Sequence, residues 1–249
     1  MSEIHEDLRR VSRLLPRGGI GPRALPAARA LTGLMSKSPS KGVERISDGS
    51  VTVRLHRPAG VQTPGPALLW IHGGGYVLGS PAQDDANCRH LASKLGIVVA
   101  AVRYRLAPRH PFPAPLEDCF DGLTWLAKQS YVDPAKLAVG GASAGGGLAA
   151  AVALLARDRG VPLAFQLLVY PMLDDRTALR TGIDETNFRL WNNKANAFGW
   201  ASYLGQAPGA DSVPLNSVPA RVEDLTGLAP AWIGVGDCDL FHDEDLAYA

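Results

Sequence analysis

Five short apolar runs limit what this chain can fold into more than any other feature. ALLWIH (67–72), IVVAAV (97–102), LAVGG (137–141), AFQLLVYP (164–171) and PAWIGVG (230–236) are continuous rather than alternating, the pattern of strands buried on both faces of a sheet. Between them lie three stretches of helical character, DDANCRHLASKLG, PLEDCFDGLTWLAKQ and GGGLAAAVALLARDRG. The first and third end in Gly96 and Gly160, glycines suited to a helix C-terminus. Strand and helix alternating in this order mark right-handed βαβ crossovers, so the expected fold class is α/β, a mostly parallel sheet with helices on both faces. Ahead of these runs, VTVRLHRP from Val51 alternates apolar and polar residues, as an early antiparallel strand with one wet face does.

The chain has 249 residues, 46% of them hydrophobic, which one α/β domain spanning 1–249 accommodates. Residues 1–40, rich in Arg, Pro and Gly, read as an arm able to fold over the body. Residues 172–229 place an insert of roughly sixty positions between two strands, the size of a lid over a site. Its Trp191, Phe198, Trp200 and Tyr203 either line a pocket or form the lid's own core. Twenty-five basic against 24 acidic side chains leave a formal net charge of +1. That balance lacks the surplus that draws nucleic acid or an anionic membrane. The N-terminus is charged from Glu3 onward without a secretory apolar stretch, and no later apolar run is long enough to span a bilayer, so a cytoplasmic location is expected. Cys88, Cys119 and Cys238 are too far apart for a disulfide framework or a zinc pair, and none stands beside a histidine that would activate it.

The strongest local signal is Gly141-Ala142-Ser143-Ala144-Gly145, which follows an apolar run and opens a helix. In that context G-x-S-x-G makes a strained strand-to-helix turn that lifts the serine hydroxyl above the sheet edge. The helix behind it offers unpaired N–H groups and the positive end of its dipole. The bland alternative is a glycine-rich packing turn with an incidental serine. Neither G-x-G-x-x-G nor G-x-x-x-x-G-K-[ST] fits residues 140–147, which disfavours nucleotide binding. The second signal, His72-Gly73-Gly74-Gly75-Tyr76, exposes backbone amides that side chains do not obstruct. Together with Ala144, the amides of Gly74 and Gly75 form a candidate oxyanion hole, where each aimed donor is worth about 10² to 10³ in rate. A flexible loop is the plain reading of the same glycines, and His72 reads as a packed orienting residue rather than a base.

HGGGY, YRLAPRHPFPAPLEDC (104–119) and GASAGGG together resemble the hormone-sensitive-lipase-like branch of the α/β-hydrolases, from about Val51 to the last residue. The resemblance implies a carboxylesterase or lipase acting on small-molecule esters of short to medium acyl length, with Ser143 as nucleophile and no metal or organic cofactor. It also implies a cap to which the N-terminal arm contributes. One departure is Ala142, where the family usually carries Asp. The family's acid lies in a pattern like D-x-L-x-D-E, matched by Asp239-Leu240-Phe241-His242-Asp243-Glu244 with Leu one position early, which makes Asp239 the catalytic acid. Its role would be to orient the imidazole. Asp237 is the near alternative, and either aspartate could instead cap the helix starting near His242.

The order Ser, Asp, His that this resemblance implies requires a histidine after the acid. His242 follows too closely to serve, and His5, His56, His90 and His110 come too early. The chain is therefore expected to be an incomplete copy that lacks its base. A receptor-like binding protein that keeps the pocket without the chemistry is the alternative from another class. No sequence feature fixes an oligomeric state, and a homo-oligomer stays open.

Overall fold

A computed structural model describes residues 4–36, 40 and 42–249. Seven strands form one sheet: β1 (Glu44–Asp48), β2 (Val51–His56), β3 (Gly65–Ile71), β4 (Val98–Val102), β5 (Val132–Ala142), β6 (Phe165–Val169) and β7 (Ala231–Gly234), in the order β1-β2-β4-β3-β5-β6-β7. β1 and β2 are antiparallel, as is the pairing of β2 with β4. The five strands from β3 to β7 are mutually parallel, as their continuous apolar runs required. β1 escaped the sequence reading because ERISD carries three charges and only one large apolar residue, and its strand conformation is imposed by pairing with β2.

Both faces of the parallel strands are covered, and the side chains sort by the pleat. Leu69, Ile71, Val98, Ala100, Val102 and Val139 pack into one large core with α4 (Ala114–Ala127) and α5 (Ala144–Asp158). Their neighbours Leu68, Trp70, Val99 and Ala101 pack the opposite way, with Cys88 and Ala92 of α3 (Asp85–Leu95). Gly96, at φ +64°, ends α3 in the left-handed conformation. Gly160, at φ +68°, follows α5, and there the N–H groups of Gly160 and Val161 return to the carbonyls of Arg157 and Ala156, which is a Schellman closure.

One expectation is overturned. The polar positions of β2 do not form a wet face: Arg54 is 5% and His56 2% exposed. The start of α3 covers them and supplies Asp85, whose carboxylate accepts Arg54 Nε at 2.7 Å as well as Arg54 Nη2 and Ser40 Oγ, with His56 Nε2 at 3.4 Å. Period-two alternation marks a change of environment from face to face. Here the polar side meets a buried ion pair instead of solvent.

The remaining helices are α1 (Arg9–Leu14), α2 (Leu25–Ser36), α6 (Asn193–Leu204) and α7 (His242–Tyr248). The N-terminal segment lies over the body: Leu25 is buried, Arg29 Nε donates to the Val77 carbonyl at 2.8 Å, and Leu190 N–H donates to the Pro16 carbonyl at 2.8 Å. In α6, Trp200 and Tyr203 are fully buried, with Tyr203 stacked on Tyr76 at 4.2 Å. No helix among the described residues is long and apolar enough to cross a membrane.

Candidate active site

Strand register decides where the glycine motifs meet. Ile71 at the end of β3 pairs with Gly141 near the end of β5, and Ala142 pairs with Val169 at the end of β6. The loops that follow all leave from one edge of the sheet. β4 lies on one side of β3 and β5 on the other, and a crevice opens outside the carboxyl ends of strands where the winding reverses in this way. A cavity of about 520 Å³ occupies that place, lined by Gly73, Gly74, Gly75, Ser143 and Asp239 among others. Three segments far apart in sequence are thus brought together.

Ser143 sits in the turn between β5 and α5 at φ +57°, ψ −125°, a region that costs a non-glycine residue about 1–3 kcal/mol and persists only where its surroundings over-determine it. Those surroundings are specific. Ser143 N–H donates to the Val169 carbonyl at 2.9 Å, while its own carbonyl accepts from Gly147 and Met172, each at 3.0 Å. Gly145 must be glycine because a Cβ there would collide with the carbonyl oxygens of Ile71 and His72. Ala144 is the first residue of α5, so its N–H has no intrahelical acceptor.

The triple-glycine loop is held rather than loose. Gly74 and Gly75 both have positive φ, at +128° and +58°. The Gly74 carbonyl accepts from Val77 and Leu78 at 3.1 and 3.0 Å, whereas the N–H groups of Gly74 and Gly75 donate to no backbone carbonyl among the described residues. His72 is buried, stacks on Tyr104 at 4.3 Å, and donates from Nδ1 to the Gly73 carbonyl at 2.8 Å. Gln83 Nε2 reaches the same carbonyl at 3.4 Å. Burial lowers the His72 pKa to about 4, with the Gly73 bond opposing and the Arg103 charge assisting. The ring is therefore neutral at pH 7, an orienting group as the sequence suggested.

That neutrality has a stability signature. Between the unfolded value of about 6.5 and about 4, the unfolded chain takes a proton on His72 that the fold refuses, so the residue's contribution falls as pH drops through this window. Burial raises Glu244 to about 7 and Asp245 to about 9, and these run the other way, their contributions declining as pH rises. His72 is isolated by comparing wild type with His72→Gln in urea unfolding at pH 7 and pH 4.5. The stability gap between them is expected to shrink by about 2–3 kcal/mol on acidification; a constant gap would mean that the imidazole takes up its proton in the folded state.

Asp239 lines the cavity and also accepts Phe241 N–H at 2.9 Å, so it closes the turn that starts α7. Burial raises its pKa, with the Phe241 hydrogen bond and His242 acting against the rise. Asp237 stands away from the cavity lining with its side chain 83% exposed. The ring of His242 lies 3.0 Å from Asp243. None of the six histidines lines the cavity. Trp191 does, and its ring occupies the space a Cβ on Gly75 would need; Trp200 and Tyr203 are core instead, and Phe198 is half-buried against it. Sequence reasoning missed Asp84, which lines the cavity beside Ala142 and accepts Trp70 Nε1 at 2.8 Å. The only available signal was the acidic pair Asp84-Asp85 at the start of α3, which reads equally well as capping. Cys88 and Cys119 are buried, with their thiols pushed up by burial, and Cys238 is half-buried at the cavity wall.

Residues 68–249 match the family model described as the alpha/beta hydrolase fold. The chain belongs to the α/β-hydrolase fold family. The hormone-sensitive-lipase-like assignment stands, because relatives of this α/β-hydrolase bear esterase and carboxylic ester hydrolase names. It is 35% identical over 206 residues to Esterase LipI of Mycobacterium tuberculosis (strain ATCC 25618 / H37Rv), covering 80% of this chain and 64% of that one. It is 34% identical over 221 residues to an ethyl acetate hydrolase of Pseudomonas putida, covering 82% and 68%. Among solved structures it superimposes on a bacterial heroin esterase with a TM-score of 0.86 at 39% identity, covering 99% of this chain and 83% of that one. The match to LipI spans just under two thirds of that protein's length.

Proposed function

We propose that this hydrolase carries the acyl-transfer site of a serine carboxylesterase acting on small esters of short to medium acyl length. The convergence of Ser143, the Gly74–Gly75 loop and Asp239 on one cavity carries the reading. Ser143 Oγ attacks the ester carbonyl, and the N–H groups of Gly74, Gly75 and Ala144 stabilise the oxyanion that forms. The alcohol leaves, and water releases the acid from the acyl-serine. Asp239 would orient an imidazole that takes the serine proton and passes it to the leaving alcohol; none of the six histidines of this sequence lines the cavity, and imidazole added from solution can take that place. The arm around Pro16–Ile20 and the segment 188–191 wall the cavity as a cap, and Trp191 against Gly75 sets its depth. The test is mass spectrometry after prolonged exposure to an alkyl fluorophosphonate with free imidazole present to supply the base. A single adduct on the peptide carrying Ser143 is expected, and an adduct elsewhere would remove that serine as nucleophile.

A further inference from the structure

A second cavity, of about 670 Å³, lies behind the glycine loop, with the ring of His72 in its wall. Arg29 of α2 and Arg103, Arg105 and Arg109 of the segment between β4 and α4 surround it, facing two carboxylates, Asp118 and Asp121 of α4. The charges do not cancel. Arg105 is forked onto Asp118 at 2.8 and 2.9 Å, and Arg29 donates to the carbonyls of Val77 and Ala107. Among the described residues, the Asp121 carboxylate accepts one side-chain hydrogen bond, from Ser50 Oγ at 3.4 Å. Among the described residues, the side chains of Arg103 and Arg109 form no hydrogen bond or ion pair, and both residues are exposed. Their field is felt nearby: after burial itself, Arg109 is the cause that lowers the proton affinity of Arg29, and Arg103 acts likewise on His72.

We propose that this cavity binds a small oxyanion carrying at least two negative charges, a phosphate ester or a polycarboxylate, with Arg103 and Arg109 as its ligands. A guanidinium fork matches both chemistries, the hydroxyls of Ser50, Thr52 and Ser80 line the same space, and the volume falls in the range of small-molecule sites. The site is separate from the Ser143 cavity and does not depend on hydrolysis. Calorimetric titration with pyrophosphate and with citrate, in 0.15 M KCl where charges more than about 8 Å apart are screened, tests it directly. One saturable site is expected, weakened about tenfold or more in R103A/R109A, weakened also by R109E, which changes the local charge by the same two units, and unchanged in R10A/R13A, which removes the same charge from the exposed N-terminal helix. The tighter probe assigns phosphoryl or carboxylate chemistry. Absence of saturable binding by either anion, or equal weakening in R10A/R13A, overturns the proposal. Thermal melting of each variant separates lost binding from lost folding.

Discussion

Ser143→Ala is expected to abolish the fluorophosphonate capture that added imidazole supports, while thermal melting shows the variant still folded. No histidine lines the cavity, so on the proposed mechanism Ser143 is an unactivated hydroxyl, and lack of one triad member costs on the order of 10⁴ to 10⁶ in turnover. Turnover of p-nitrophenyl butyrate by the chain alone is therefore a weak discriminator, because triad losses are not additive and the alanine variant has little further to fall. Supplying the base separates the two proteins. The cavity is open and holds about 520 Å³, room for free imidazole beside Asp239. Added imidazole should raise wild-type turnover saturably, by about tenfold or more, with the 10²–10⁴ of a positioned general base as its ceiling. Ser143→Ala should show only the solution reaction of imidazole with the ester. Equal rates for the two proteins under imidazole, or equal probe capture, would leave Ser143 without its proposed role.

The second large effect is on stability. Asp85→Ala leaves Arg54 charged and buried without its counter-ion, beside a His56 whose own proton affinity is lowered first by burial. Breaking a buried pair from one side costs about 3–5 kcal/mol, read as a fall in the urea midpoint at unchanged slope. Replacing both partners, Arg54→Met with Asp85→Leu, should recover much of the loss, since the penalty arises from the uncompensated charge. A loss below about 1 kcal/mol for Asp85→Ala would place the carboxylate in solvent. The pH response follows from the same contacts. Burial alone would raise the Asp85 carboxyl, but hydrogen bonds from Arg54 and Ser40 and the charges of Arg54 and His56 hold it below the ordinary range. Its folded pKa lies under its unfolded value of about 3.9. The stabilisation is therefore complete above that value and is lost as pH falls through the folded pKa.

This ion pair also shows where the sequence stops being informative. Arg54, His56 and Asp85 were all visible, yet nothing local says that the start of α3 closes over β2. The same holds for Asp84, whose place beside Ala142 depends on the crossover from β3 to β4. Trp191 against Trp200 makes the point within a single segment: two aromatic residues nine positions apart, one at the cavity and one in the core.

The sequence alone determined the parallel sheet, the helices between its strands, the elbow at Ser143 and the character of the glycine loop, because each rests on local chemistry. Apolar runs must be buried on both faces, and a strand that turns into a helix within five residues needs glycine where backbones touch. The tertiary structure decided the strand order that sets β3 between β4 and β5, the meeting of Asp239 with Ser143, the burial of the polar side of β2, and the gathering of four arginines around one cavity. Each of these depends on which distant segments the register and the crossovers bring into contact, and no residue's neighbours along the chain encode that.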